Sequence, residues 1–110
     1  MVELLLSNYN RGCVFRRDET VERRTVYFSG TVQGVGFRIT ANQIAKGFQV
    51  KGFVRNLADG RVELVAEGSV QQVAQFVEEV QRRMGDLIEN VETQVTETKE
   101  PAYERFSIRP

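Results

Sequence analysis

The sequence predicts an α+β fold in which two helices cover one face of an antiparallel sheet. Two observations predict this class. Apolar residues recur with helical spacing in two separate segments, and short runs rich in β-branched and aromatic residues precede, separate and follow those segments. The 110 residues fit one domain, and a single cysteine allows no intrachain disulfide.

The first half of the domain predicts a strand, a glycine-rich loop and a helix. From Thr25, the segment TVYFSG places Val26 and Phe28 on one face of a strand and Tyr27 on the other. Three glycines follow within a short distance. The next apolar residues share one face of a predicted helix: Phe37, Ala41, Ile44, Ala45 and Phe48.

The second half predicts a hairpin, a second helix and two further strands. The segments VKGFVRN and RVELVAEG are strand-like, and Asp59-Gly60 between them favours a hairpin turn. Ser69 is a candidate cap for a helix whose apolar stripe comprises Val70, Val73, Ala74, Val77, Val80 and Met84. The segments NVETQVTET and RFSIRP complete a β-α-β-β-α-β order with a short C-terminal strand, which is typical of a ferredoxin-like sandwich.

The N-terminal residues differ from the rest of the chain. They contain the charge run RRDETVERR, so we expect residues 1–22 to form a poorly ordered extension and residues 23–110 to form the domain. The alternative is an extra strand or a contact with another chain, made by Leu4–Leu6 and Val14–Phe15.

Composition excludes several classes of function. Fifteen basic and fifteen acidic residues cancel, which disfavours a general attraction to nucleic acid or to an anionic membrane. The absence of histidine removes the commonest general base, the usual zinc ligand and histidine-activated nucleophiles. We therefore expect a cytoplasmic protein with no metal cluster, no nucleic-acid partner and no membrane span.

The segment GTVQGVGFR is the first candidate site. Gly34 and Gly36 leave the backbone free to point several N–H groups inward as an anion-binding nest, and the N-terminus of the following helix adds partial positive charge. Arg38 can contact two phosphate oxygens with its planar guanidinium. Neither the Walker pattern nor the dinucleotide fingerprint is present, and Val32 stands where a cysteine phosphatase needs its nucleophile. Alternatively, the glycines form only a turn and Arg38 is solvated.

Chemistry without a histidine or a protein nucleophile requires an activated phosphate compound. An acyl phosphate meets this need because its leaving group is a carboxylate, whose conjugate acid has a pKa of about 4 to 5. Phosphoryl transfer then needs positioning, charge stabilisation and an oriented water. Asn56, at the end of a predicted strand, offers a neutral amide for that last role. The alternative is that Asn56 only shapes the turn.

Two segments together resemble the acylphosphatase family, whose signatures are GxVQGVxFR and G-aromatic-VxNxxDGxV. The resemblance covers about residues 24–110, and every fixed position is present: Gly30, Val32, Gln33, Gly34, Val35, Phe37, Arg38, Gly52, Phe53, Val54, Asn56, Asp59, Gly60 and Val62. One departure is Gln49-Val50, where many relatives have Gly-Leu before the second strand.

The resemblance implies a monomeric enzyme that hydrolyses small-molecule acyl phosphates without metal or cofactor. It implies that Arg38 and Asn56 are catalytic, that Asn56 orients the attacking water, and that the substrate's own phosphate accepts the water proton. It further implies that phosphate, or inorganic phosphate as a product, is held with Arg38 by the backbone amides of Gln33, Gly34, Val35, Gly36 and Phe37.

Two other interpretations stay open at this point. One is a catalytically weak domain of the same family that binds phosphate or carbamoyl phosphate. The other is an RNA-binding module, because KGFV partly resembles an element of RNA-recognition sheets, although it falls on the second strand rather than the third.

Overall fold

The computed structural model describes residues 20–110. The predicted extension of residues 1–22, with its alternative contacts through Leu4–Leu6 and Val14–Phe15, lies outside the described residues up to position 19. The first strand begins at Val21 rather than at Thr25. It does so because Val21 is buried and lies opposite Thr98 of another strand.

The described residues confirm the predicted α+β sandwich of the ferredoxin-like type. The elements are β1 Val21–Gly30, α1 Phe37–Ala45, β2 Lys51–Asn56, β3 Val62–Gly68, α2 Val70–Met84, a 3-10 turn Gly85–Leu87, β4 Ile88–Thr98 and β5 Phe106–Ile108. The sheet order is β4-β1-β3-β2-β5. The core lies between the sheet and the two helices and contains the side chains of Val26 and Phe28, which are fully buried.

The C-terminal strand makes the sheet mixed rather than wholly antiparallel. β5 pairs with β2 in parallel, whereas the other three pairs are antiparallel. The reason is where β4 ends: Thr98 lies beside Val21, at the sheet end where β2 begins. The connection follows this end, with the Ala102 N–H donating to Glu67 Oε1 over 3.0 Å. The chain therefore enters β5 from the same end as β2.

The apolar face predicted for α1 is confirmed for the residues up to Ala45, but the helix ends there, and Phe48 packs half-buried against the core from the following turn. The face predicted for α2 is partly wrong. Val70 is 60% exposed, and Ala74 is only half-buried. Phe76, which the predicted stripe omits, is fully buried, with its ring 6.1 Å from that of Phe48 and 5.2 Å from that of Phe106. The Phe76 side of α2 therefore faces the sheet. Val70 is the first residue of the helix, and its side chain stays exposed to solvent.

Ser69 caps α2 as predicted, and its removal is expected to cost stability without affecting the opposite end of the sheet. Ser69 Oγ accepts a hydrogen bond from the Gln72 N–H over 3.2 Å. Loss of a serine cap costs about 1 kcal/mol, so Ser69→Ala should lower the melting temperature by about 4–8 °C. Ser69→Asp keeps an acceptor and is the matched control. A melting temperature that does not change in Ser69→Ala would contradict the capping role.

Candidate active site

The topology brings the two candidate segments to one edge of the sheet. β1 and β2 are both antiparallel to β3, which lies between them, so β1 and β2 run in the same direction. Their carboxyl ends therefore reach the same edge. The glycine loop follows β1 there, and Asn56 is the last residue of β2.

The glycine loop has a left-handed backbone at two positions. Gly34 has φ +78° and Gly36 has φ +81°, conformations that residues with side chains rarely adopt. A Cβ added at either position would meet no protein atom within 4 Å, so conformation and not space calls for glycine. Gly36 is also the N-cap of α1 and accepts from the Thr40 N–H over 2.9 Å. The Thr40 N–H is thus the first to donate within the helix, and the N–H groups of residues 37–39 have no acceptor inside α1.

Alanine substitution at Gly36 is expected to destabilise the protein. A left-handed conformation costs a residue with a side chain about 1–2 kcal/mol, so Gly36→Ala should lower the free energy of unfolding by about that amount. Gly47, at the other end of α1, has no positive φ, and a Cβ there would make an ordinary 3.5 Å contact with Ile44 O. Gly47→Ala is therefore the control, and equal losses in the two variants by urea denaturation would contradict the interpretation.

The remaining loop positions divide between core and surface. The Phe37 side chain is buried, with its ring centroid 5.0 Å from that of Phe28, so it anchors the start of α1 in the core. Only the backbone of Phe37 is then available to a ligand. Val35 is 39% exposed.

Arg38 reaches from α1 toward the edge of the sheet. Its Nη1 donates to the carbonyl oxygen of Arg109 over 3.3 Å. The Arg109 N–H in turn donates to Val54 O over 2.9 Å, and Val54 precedes Asn56 by two residues on β2. These contacts hold the half-buried Arg38 side chain beside the end of the strand that carries Asn56.

Asn56 is followed by the tight turn that the sequence predicts. The Leu57 N–H donates to Arg61 O over 2.8 Å, and the Gly60 N–H donates to Leu57 O over 3.2 Å. The carboxylate of Asp59 accepts from the Arg61 N–H and from its Nε. Both hydrogen bonds lower the pKa of Asp59, and the one from the backbone N–H of Arg61 has the larger effect. The half-buried Asn56 therefore lies at the base of a well-ordered turn.

The side chain of Gln33 makes a contact that the sequence analysis does not predict. The sequence predicts a role in the site only for the backbone amide of Gln33. Its side-chain Nε2 donates to Leu57 O over 2.7 Å and to Arg61 O over 2.9 Å. The sequence shows that Gln33 can donate hydrogen bonds, but its neighbours in the loop do not indicate that the acceptors are the carbonyls of Leu57 and Arg61.

The described residues contain no group of three or more acidic or cysteine side chains arranged to hold a metal ion. In residues 20–110, no helix is both long enough and apolar enough to cross a bilayer. The glycine loop with Gln33, the Arg38 guanidinium and the strand end that carries Asn56 lie at the same edge of the sheet.

Comparison with known proteins matches the acylphosphatase family model to residues 24–108. An acylphosphatase of Methanospirillum hungatei is 36% identical over 89 residues, covering 81% of this chain and 98% of the relative. One from Paenarthrobacter aurescens is 47% identical over 81 residues, covering 73% and 85%. The crystal structure of acylphosphatase from Bacillus subtilis aligns with a TM-score of 0.70 at 34% identity, covering 81% of this chain and 99% of that one. The chain belongs to the acylphosphatase family.

Proposed function

We propose that residues 33–38 bind the phosphate group of the acyl phosphate that this family member hydrolyses, with Arg38 and Asn56 as the catalytic side chains. One observation carries the proposal. The glycine loop, the Arg38 guanidinium and the strand end with Asn56 all lie at a single edge of the sheet.

Phosphate binding is assigned to backbone N–H groups and one guanidinium. The left-handed residues Gly34 and Gly36 curve the loop into the start of α1, whose first-turn N–H groups have no partner within the helix. Donors of this kind, together with the helix dipole, favour an anion. Arg38 adds a full positive charge, and its planar fork suits two phosphate oxygens. The phosphate is the substrate's at the start of the reaction and inorganic phosphate at its end.

Asn56 is assigned to the attacking water. Its carboxamide can accept a hydrogen bond from the water, and it carries no charge to repel the anion. The water oxygen forms a bond to phosphorus as the bond between phosphorus and the acyl oxygen breaks. The bonding pair leaves with the carboxylate, and the water proton goes to a phosphate oxygen. An acyl phosphate dianion and water thus give a carboxylate and dihydrogen phosphate.

The proposed enzyme acts as a monomer, because the loop, Arg38 and Asn56 all come from one chain. We propose the cytoplasm as its location, which agrees with its single cysteine. We propose no nucleic-acid partner, in keeping with fifteen basic and fifteen acidic residues.

Steady-state hydrolysis of benzoyl phosphate tests the proposed site. We expect turnover that persists with a chelator present and that inorganic phosphate inhibits competitively. Activity that the chelator abolishes, or inhibition by phosphate that is not competitive, would contradict the assigned phosphate site. Binding of phosphate without turnover would reject the roles of Arg38 and Asn56 as catalytic residues.

A further inference from the structure

The Gln33 carboxamide connects the two halves of the site. Gln33 belongs to the loop after β1, whereas its acceptors, Leu57 O and Arg61 O, lie at the two ends of the turn between β2 and β3. β3 separates β1 from β2 in the sheet. The side chain therefore spans the edge of the sheet at the start of β3, and the residue immediately before its first acceptor is Asn56.

The turn does not need Gln33 to satisfy its own hydrogen bonds. Leu57 O also accepts from the Gly60 N–H, and Arg61 O also accepts from the Leu57 N–H. Both carbonyls would keep a partner if the Gln33 donors were removed, so no buried acceptor would be left unpaired. What would be lost is the link between the glycine loop and the turn.

We propose that Gln33 is a positioning residue that sets the distance between the bound phosphate and the Asn56 carboxamide. This inference rests on the proposed function of the loop, Arg38 and Asn56. The two hydrogen bonds, at 2.7 and 2.9 Å, lie within the normal range for N–H···O contacts, and together with the half-burial of the Gln33 side chain they restrict its motion. A well-aligned water and phosphate react far faster than a poorly aligned pair, and a misplacement of about 1 Å can cost about 10²-fold in rate.

Loss of the Gln33 hydrogen bonds should lower turnover without weakening phosphate binding. The loop amides and Arg38 are present whether or not Gln33 donates to the turn. Gln33→Met keeps the length of the side chain and removes both donors. We expect it to lower kcat by about 10- to 100-fold and to change the inhibition constant of inorganic phosphate by less than about threefold. Gln33→Glu places a carboxylate against the two carbonyls and should lower kcat further.

Gln43→Met is the matched control, because Gln43 lies on the exposed face of α1 and outside the site. It should have wild-type kinetics with benzoyl phosphate. Thermal unfolding of each variant gives the folded fraction by which kcat is corrected. A merely structural role would lower the melting temperature and leave the corrected kcat of Gln33→Met at the wild-type value, which would overturn the proposal.

A double-mutant cycle tests whether Gln33 acts through Asn56. In an Asn56→Ala background, assayed at higher enzyme concentration, Gln33→Met should cost less than about threefold in kcat, because the group it positions is gone. Equal losses in the two backgrounds would overturn the inference, as would a phosphate inhibition constant that weakens in step with kcat. A wild-type protein without activity on benzoyl phosphate would instead refute the proposed function on which the inference rests.

Discussion

Replacing Arg38 with alanine is expected to lower kcat/KM for benzoyl phosphate by at least about 10³-fold. The guanidinium is the full positive charge assigned to the phosphate, and phosphoryl-transfer catalysis consists almost entirely of positioning and charge stabilisation. Since Arg38 is expected to bind the phosphate both before and during the reaction, inhibition by inorganic phosphate should weaken as well. Steady-state kinetics with phosphate as a competing ligand measures both effects.

Two further arginine variants control this experiment. Arg38→Lys keeps the charge but loses the planar fork, so its activity should lie between those of the wild type and Arg38→Ala. Arg82 is exposed on α2 and pairs with Glu79 across one helical turn. Arg82→Ala should have wild-type kinetics. If Arg38→Ala has the same kcat/KM as the wild type, the assignment of the loop as the phosphate site is wrong.

Replacing Asn56 with alanine is expected to lower kcat by about 10²–10³-fold while inhibition by phosphate is retained. The carboxamide is assigned to the attacking water, whereas phosphate binding is assigned to the loop and Arg38. Asn56→Asp should also have low activity, because a carboxylate would repel the anionic substrate. The different effects of Arg38→Ala and Asn56→Ala on phosphate inhibition distinguish the two roles.

Asn42 offers the control for the amide substitution. It lies on α1, where it borders a groove with Gln49 and Arg105 at the far end of the sheet. Asn42→Ala should leave kcat and KM unchanged. Weaker phosphate inhibition in Asn56→Ala, matching the loss in kcat, would assign Asn56 to the phosphate and not to the water.

Most elements of the fold could be predicted because they depend on local properties of the chain. Helical spacing alone places Ala41 and Ile44 on the buried face of α1. The hydroxyl of Ser69 and the turn residues Asp59 and Gly60 act within a few residues of their own positions. Such signals need no knowledge of the rest of the molecule.

Two predictions differ from the structure, for different reasons. The stripe predicted for α2 includes Val70 and omits Phe76, although Val73, Phe76, Val77 and Val80 have the i, i+3, i+4, i+7 spacing of one helix face. Local spacing was therefore sufficient to place Phe76 in the core. The direction of β5, in contrast, depends on which end of the sheet the chain reaches after β4, and the residues of β5 carry no signal of it.

The sequence by itself determines the order of the strands and helices, because that order rests on periodicity. It also determines the family and the residue types suited to an acyl phosphate, because these rest on two short motifs. The tertiary structure decided that the side chain of Gln33 reaches the turn beyond Asn56, and that Arg38 donates to the Arg109 carbonyl. These contacts join residues that are far apart along the chain. The first exists because β1 and β2, which are separated by β3, end at the same edge of the sheet, and the second because β5 runs parallel to β2 and ends there too.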